Sequence, residues 1–265
     1  MSALLFDKSG PVVTLTINRP DARNPLGEEG DGDLFAEAAA RINGDREVRC
    51  LILTGAGKAF SAGGNLKSMR ERSGSFSGTG VHIRERYRNG IHRMVRALWT
   101  LEVPMIAAVN GPAIGLGNDV ACLADMRIAA DSAIFGATFL KIGLVPGDGG
   151  AWILPRTIGH ARAAELFFTG DTIDAQTALS WGLVSKVVPA DTLMDEAKSL
   201  ASRICRQPPD ALRMTKKLMR EGQMTSFDTI MEMSAAAQAL AHLTSDHAEA
   251  VAAFFEKRQG QFKGE

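Results

Sequence analysis

Three short apolar runs constrain this chain more than anything else in it: CLILTG at 50–55, MIAAVNG at 105–111 and MRIAAD at 126–131. Each is short for a core helix, closes on a turn residue and is followed after a loop by helical pattern. Apolar runs of that length without alternation fit strands buried on both faces, as in parallel sheets clad by helices. An earlier run, VVTLTI at 12–17, alternates apolar residues with threonine, stops at the turn-rich NRPDARNP and reads as a half-buried strand. A helical stretch follows at about 33–43. The expected class is α/β with stacked parallel strands. The irregular spacing of the runs excludes the common periodic solenoids.

From about residue 191 the character changes. TLMDEAKSLASRICRQ, DALRMTKKLMREG and the Ala- and Met-rich stretch at 225–258 carry helical periodicity and no strand signal. At 265 residues the expected plan is one core with an appendage: residues 1–195, then a helical C-terminal region at 196–265. Between Asn65 and about Val81 the sequence is rich in serine, glycine and charge, the composition of a mobile loop over a site. Basic and acidic side chains balance at 30 each, which points away from nucleic acid and anionic membranes as partners. Even the apolar 101–125 region is interrupted by Glu102, Pro104, Asn110 and Pro112, so no run reaches membrane-spanning length. Cys50, Cys122 and Cys205 lack metal-ligand spacing and read as reduced thiols of a cytoplasmic protein. MSALLFDKSG has no basic head followed by an apolar stretch, so no secretory signal is expected.

Two glycine turns carry the chemistry. GLGND at 115–119 leads into the apolar VACLA, and AFSAGGNLKSM at 59–69 follows the run CLILTG and its loop. Glycine lets the backbone approach a ligand or take positive φ, and a helix start offers unpaired N–H groups with partial positive charge. Two such turns could bring two backbone donors to one point, forming an oxyanion hole. On the residues alone, Asp119 is either a carboxylate placed for chemistry or a helix cap, a role aspartate fills well.

These stretches, with VNGPAIGLGNDVACLADMRIA, FGATFLKIGLVPGDGGAWILPRTIG and FTGDTIDAQTALSWGLVSKVV, occur in the order seen in the crotonase superfamily, the enoyl-CoA hydratases and isomerases. The resemblance runs from about residue 10 to the FEKRQGQF tail. It implies a spiral of ββα units followed by a helical trimerisation region, assembled as a homotrimer or homohexamer. It also implies an acyl-CoA thioester as substrate, with coenzyme A part of that substrate and no separate cofactor or metal. Carried over by position, the backbone N–H groups of Ala62 and Leu116 would polarise the thioester carbonyl; Leu116 stands where the family commonly has glycine. Arg23 and Lys67 fall where the family contacts CoA, and Gly63, Gly64, Asn65 and Phe139 complete the expected substrate contacts. Such a hole suits chemistry at Cα, each donor to the enolate oxygen contributing on the order of 3 kcal/mol.

The resemblance breaks at the acids. The hydratases carry two glutamates, one at the start of the helix after the glycine turn and one in a later FGxPE stretch. One carboxyl activates water while the other handles the Cα proton. In this sequence Asp119 holds the first position, shorter by a methylene, and Phe139 holds the second, where it can neither give nor take a proton. Asp148 in PGDGG is the candidate replacement. Related dienoyl-CoA isomerases and chlorobenzoyl-CoA dehalogenases draw an aspartate from this loop, aligned with Gly147, and Asp148 could equally cap the helix beginning GGAWILP. Three readings follow: a hydratase or isomerase using Asp119, with or without Asp148; hydrolysis, dehalogenation or decarboxylation of a CoA thioester through Asp148; and acyl-CoA binding without catalysis. His82, His92, His242 and His247 lack the partners of a metal site, and Ser61 lacks a local histidine base. Tyr87 and Met94 have the helical phase to line either an acyl pocket or an ordinary core.

Overall fold

β1 (Leu4–Ser9) and β2 (Val12–Ile17) turn back on each other through Gly10 at φ +57° and pair antiparallel, Leu4 opposite Ile17. In this computed structural model, which describes residues 2–265, the chain then crosses over through α1 (Asp31–Gly44) to β3 (Cys50–Gly55), parallel to β2. The short helices α2 (Leu66–Glu71) and α3 (Gly80–Arg86), then α4 (His92–Trp99), lead to β4 (Met105–Val109), parallel to β3. After β5 (Ala113–Ile114) and α5 (Leu116–Leu123), β6 (Met126–Ala130) pairs beside β4. The chain continues through β7 (Ile134–Gly136), α6 (Gly150–Ile158), α7 (His160–Thr169), β8 (Thr172–Asp174) and α8 (Ala175–Ser180). It reaches the far edge of the sheet at β9 (Lys186–Val188). The main sheet runs β1-β2-β3-β4-β6-β9, and β5-β7-β8 form a second, small sheet.

The apolar runs behave as their composition requires: every residue of β3 and β4 is buried. Leu51, Leu53, Met105 and Ala107 face the larger core with α1 and α4, while Cys50, Ile52, Ile106 and Ala108 face the other side. That second side is covered by Leu193, Ala197 and Ala201 of α9 (Leu193–Cys205). The division expected at residue 195 therefore falls inside a helix belonging to the sheet, and the appendage begins at α10 (Pro209–Glu221).

α10 docks through buried cations, whereas α11 (Phe227–His242) has no buried residue and α12 (Ser245–Glu256) buries Asp246 and Ala253. The segment expected as a mobile loop holds α2, a 3-10 turn at Gly74–Phe76 and the start of α3. Asn65 starts α2: its Oδ1 accepts the N–H groups of Lys67 and Ser68 at 3.0 and 3.2 Å. No helix among the described residues is long and apolar enough to cross a membrane.

Candidate active site

The two glycine turns are laced together by backbone. Ser61 N–H donates to Pro112 O, and Ile114 N–H donates to Ser61 O, each at 3.0 Å. Glycine makes the approach possible: a Cβ on Gly63, at φ +86°, would lie 2.5 Å from Ile114 O, and one on Gly117 would collide with Ser61 O. Any side chain there would push the turns apart.

The donors are not quite those expected. Ala62 N–H donates to Arg23 O at 2.9 Å and is spent within the protein. Gly64 N–H and Leu116 N–H have no acceptor among the described residues. Both residues line one cavity of about 270 Å³. Two free amides on one wall, one opening α5, can hold an oxygen that gains negative charge.

The other expected substrate contacts separate. Gly63, Ala62 and Phe139 line the cavity. Asn65 does not offer its side chain to a ligand, because Oδ1 caps α2 and Nδ2 donates to Glu28 at 2.6 Å. Arg23 and Lys67 are exposed and make no ion pair among the described residues. They stand on the segments that form the cavity's rim, Arg23 through its carbonyl on Ala62 and Lys67 next to Leu66.

Neither aspartate caps a helix. Gly115 holds the cap position of α5 and Gly149 that of α6, with no side-chain cap bond at either. Asp119 is 1% exposed and Asp148 5% exposed. Both Asp119 oxygens and Asp148 Oδ1 lack a hydrogen-bond partner. The Asp119 carboxyl presses against the first residue of α6, where a Cβ on Gly150 would collide with both oxygens. Asp148 lies on the cavity wall, and Asp119 lies behind it. Burial and then the neighbouring Asp148 charge push the Asp119 carboxyl well above the usual range; the Asn118 side chain and Gly150 amide pull weakly the other way. Burial pushes Asp148 up to about 6. A carboxyl titrating there can act as base or acid near neutral pH. Phe139, 8% exposed, presents its ring to Gly115, so hydrocarbon lines this part of the cavity.

Sequence reasoning missed the π-helical turn Tyr87–Ile91 between α3 and α4, which has no pattern of its own to announce it. It brings Tyr87 to the cavity, while Met94 is fully buried in the core. A second chamber of about 700 Å³ continues outward beneath α2 and α3, sharing Leu66, Met69, Phe76, Tyr87, Ile142 and Leu144 with the first. Among the described residues no group of three or more His, Cys, Asp or Glu is placed to hold a metal ion. His82 instead completes a capping box with Thr79, His92 Nε2 pairs with Gly147 O at 2.8 Å, and His242 pairs with His247 at 3.1 Å.

Residues 7–265 match the family model for enoyl-CoA hydratase/isomerase. The chain is 39% identical to 1,2-epoxyphenylacetyl-CoA isomerase of Escherichia coli, with 100% of this chain and 99% of that protein covered. It is 37% identical to crotonyl-CoA hydratase of Syntrophomonas wolfei, with 98% and 97% covered. The crystal structure of enoyl-CoA hydratase from Bacillus anthracis matches at TM-score 0.93 and 34% identity over 100% of both chains. The fold and these likenesses define a crotonase-superfamily enzyme. Within that class the chain belongs to the enoyl-CoA hydratase/isomerase family, whose members act on acyl-CoA thioesters.

Proposed function

We propose that this enzyme isomerises an unsaturated acyl-CoA by proton transfer, with Asp148 as the single carboxylate that moves the proton. The Gly64 and Leu116 amides hold the thioester oxygen. Asp148 takes a proton from a chain carbon, and the electron pair moves onto the carbonyl oxygen as a conjugated enolate. The same carboxyl returns the proton one double bond away, leaving enzyme and atom count unchanged. The observation that carries this reading is that Asp148 is the one carboxylate on the cavity wall, while Phe139 occupies the second acid's place. A one-carboxylate shuttle needs no second acid, whereas hydration needs two proton-handling groups. The name of the Escherichia coli relative, an isomerase, points the same way.

Hydration is the second reading, favoured by the charge coupling between the two buried carboxyls. Two carboxyls with displaced titrations can divide acid and base roles. In either case the reading takes Arg23 and Lys67 as partners of the CoA phosphates, with no cofactor beyond the CoA that the substrate carries. It also places the enzyme in the cytoplasm as a homotrimer or homohexamer. Exposed Phe227, Leu240, Leu243, Phe254 and Phe255 on α11 and α12 support self-association.

The test follows double-bond migration by proton NMR and crotonyl-CoA hydration by enoyl-thioester absorbance, in wild type, Asp148→Asn and Asp119→Asn. Isomerisation predicts migration abolished by Asp148→Asn and kept within about tenfold by Asp119→Asn. Hydration without migration, lost in both variants, would replace the first reading by the second.

A further inference from the structure

Tyr87 is the chain's single tyrosine, and the proton transfer above makes no use of it. It opens the π-helical turn Tyr87–Ile91, a conformation that is rare and recurs at functional sites. The turn is wedged from behind. A Cβ on Gly32 of α1 would lie 2.8 Å from Gly90 O, and one on Gly27 would lie 2.9 Å from Ile91 Cδ1. Two glycines thus let α1 and the loop before it press the turn toward the cavity.

The ring is held in place. It stands edge-on to His92, with centroids 6.0 Å apart and planes at 77°. His92 in turn bonds Gly147 O at 2.8 Å, which ties the turn to the loop carrying Asp148. The ring edge lies 3.7 Å from where a Cβ on Gly147 would stand. The hydroxyl, by contrast, bonds no protein group among the described residues and stays open to the cavity. Around it the cavity is mainly hydrocarbon, with Leu66, Met69, Phe76, Ile91 and Leu144 on the same walls. Burial and the Asp148 charge push the phenol up to about 12, so it keeps its proton and is available as a donor.

A ring fixed on the wall of a mainly hydrocarbon chamber, with its hydroxyl bonded to no protein group, has a donor left over for a ligand. We infer that the Tyr87 hydroxyl hydrogen-bonds an oxygen carried on the acyl chain at Cβ or Cγ, so that the enzyme selects oxygenated acyl-CoA thioesters over plain hydrocarbon ones. This rests on the reading that places the reacting chain carbons at Asp148. The oxygen can come from water added at Cβ or be one that the substrate brings.

The test measures binding by titration calorimetry, with butyryl-CoA, 3-hydroxybutyryl-CoA and 4-hydroxybutyryl-CoA as probes. It uses wild type, Tyr87→Phe, Asp148→Asn and the double variant. One hydroxylated probe is expected to bind about fivefold more tightly than butyryl-CoA, the scale of one neutral hydrogen bond. Preference for the 3-hydroxy probe indicates the water-derived oxygen, and preference for the 4-hydroxy probe an oxygen native to the substrate. Tyr87→Phe should erase the preference, with and without the Asp148 change, and leave butyryl-CoA affinity within roughly twofold. Equal affinities in wild type, a preference kept by Tyr87→Phe, or an equal loss for all three probes would each overturn the inference. Turnover is scored separately: if Asp148→Asn leaves it intact while the Tyr87-dependent preference holds, the proton-transfer reading fails and this one stands.

Discussion

Beneath α10, Lys216 reaches Asp125 at 2.8 Å and Val103 O at 2.6 Å, Arg220 meets Asp125 at 3.3 Å, and Arg213 meets Glu102 at 2.7 Å. At the cavity, Asp119 and Asp148 are at least as deeply buried, yet they have no cation, and three of their oxygens are both sealed from solvent and without a hydrogen-bond partner. An unpaired charge in the interior costs several kcal/mol. The α10 cluster offsets that cost with opposite charges and carbonyls, leaving Arg220 Nη1 unpaired while the guanidinium stacks 4.1 Å over Trp99. The carboxyl pair has no such partners, and burial instead raises both titrations, that of Asp148 to about 6. The first arrangement makes a joint between helix and core. The second keeps groups whose charge changes more easily, which is the property the proposed proton transfer would use.

The comparison breaks most visibly at Asp148. Asp148→Asn should lower kcat by about 10²- to 10⁴-fold with acyl-CoA affinity retained, checked by steady-state kinetics beside calorimetry; an unchanged kcat would make Asp148 no different from the joint's charges. Asp125→Ala should do the reverse. It strands Lys216 and Arg220 and should cost about 3–5 kcal/mol in denaturant unfolding, while the rate per folded molecule holds.

The pH dependence sharpens the contrast. Asp148 titrates at about 6 in the folded protein against an ordinary 3.8, so its contribution to stability is full below pH 3.8 and is lost as pH rises through 6. Wild type should therefore lose on the order of 3 kcal/mol relative to Asp148→Asn between pH 4 and 7, in urea melts across that range. Over the same window kcat/KM should rise as the base ionises, so activity and stability should move oppositely. The smallest effect on turnover is expected at Asp119→Asn, within about tenfold, together with a higher denaturation midpoint at neutral pH, because burial and the Asp148 charge hold its carboxyl well above the usual range. A total loss of turnover would assign Asp119 to the reaction itself.

The central strands were legible because burial on both faces writes itself as an unbroken apolar run, and the observed β3 begins and ends where CLILTG does. β1 was not, because LLFDKS at a sheet edge mixes apolar and charged residues. The strands of the small sheet, two or three residues long, are too short to show a period. The meeting of the two glycine turns was legible, but not which amide on the first of them stays free. Ala62 is withdrawn by a bond to Arg23 O, and Arg23 takes a left-handed φ of 60° that the sequence does not announce. Likewise α9 carries the same helical pattern as its successors, and only the contact of Ala197 and Ala201 with the sheet sets it apart.

Asp119 and Gly150 constrain each other's replacement. A single methyl on Gly150 would strike both Asp119 oxygens, so alanine becomes available at 150 only after residue 119 has shrunk or α6 has retreated. The bare backbone at 150 is therefore what leaves room for a carboxyl at 119 between α5 and α6.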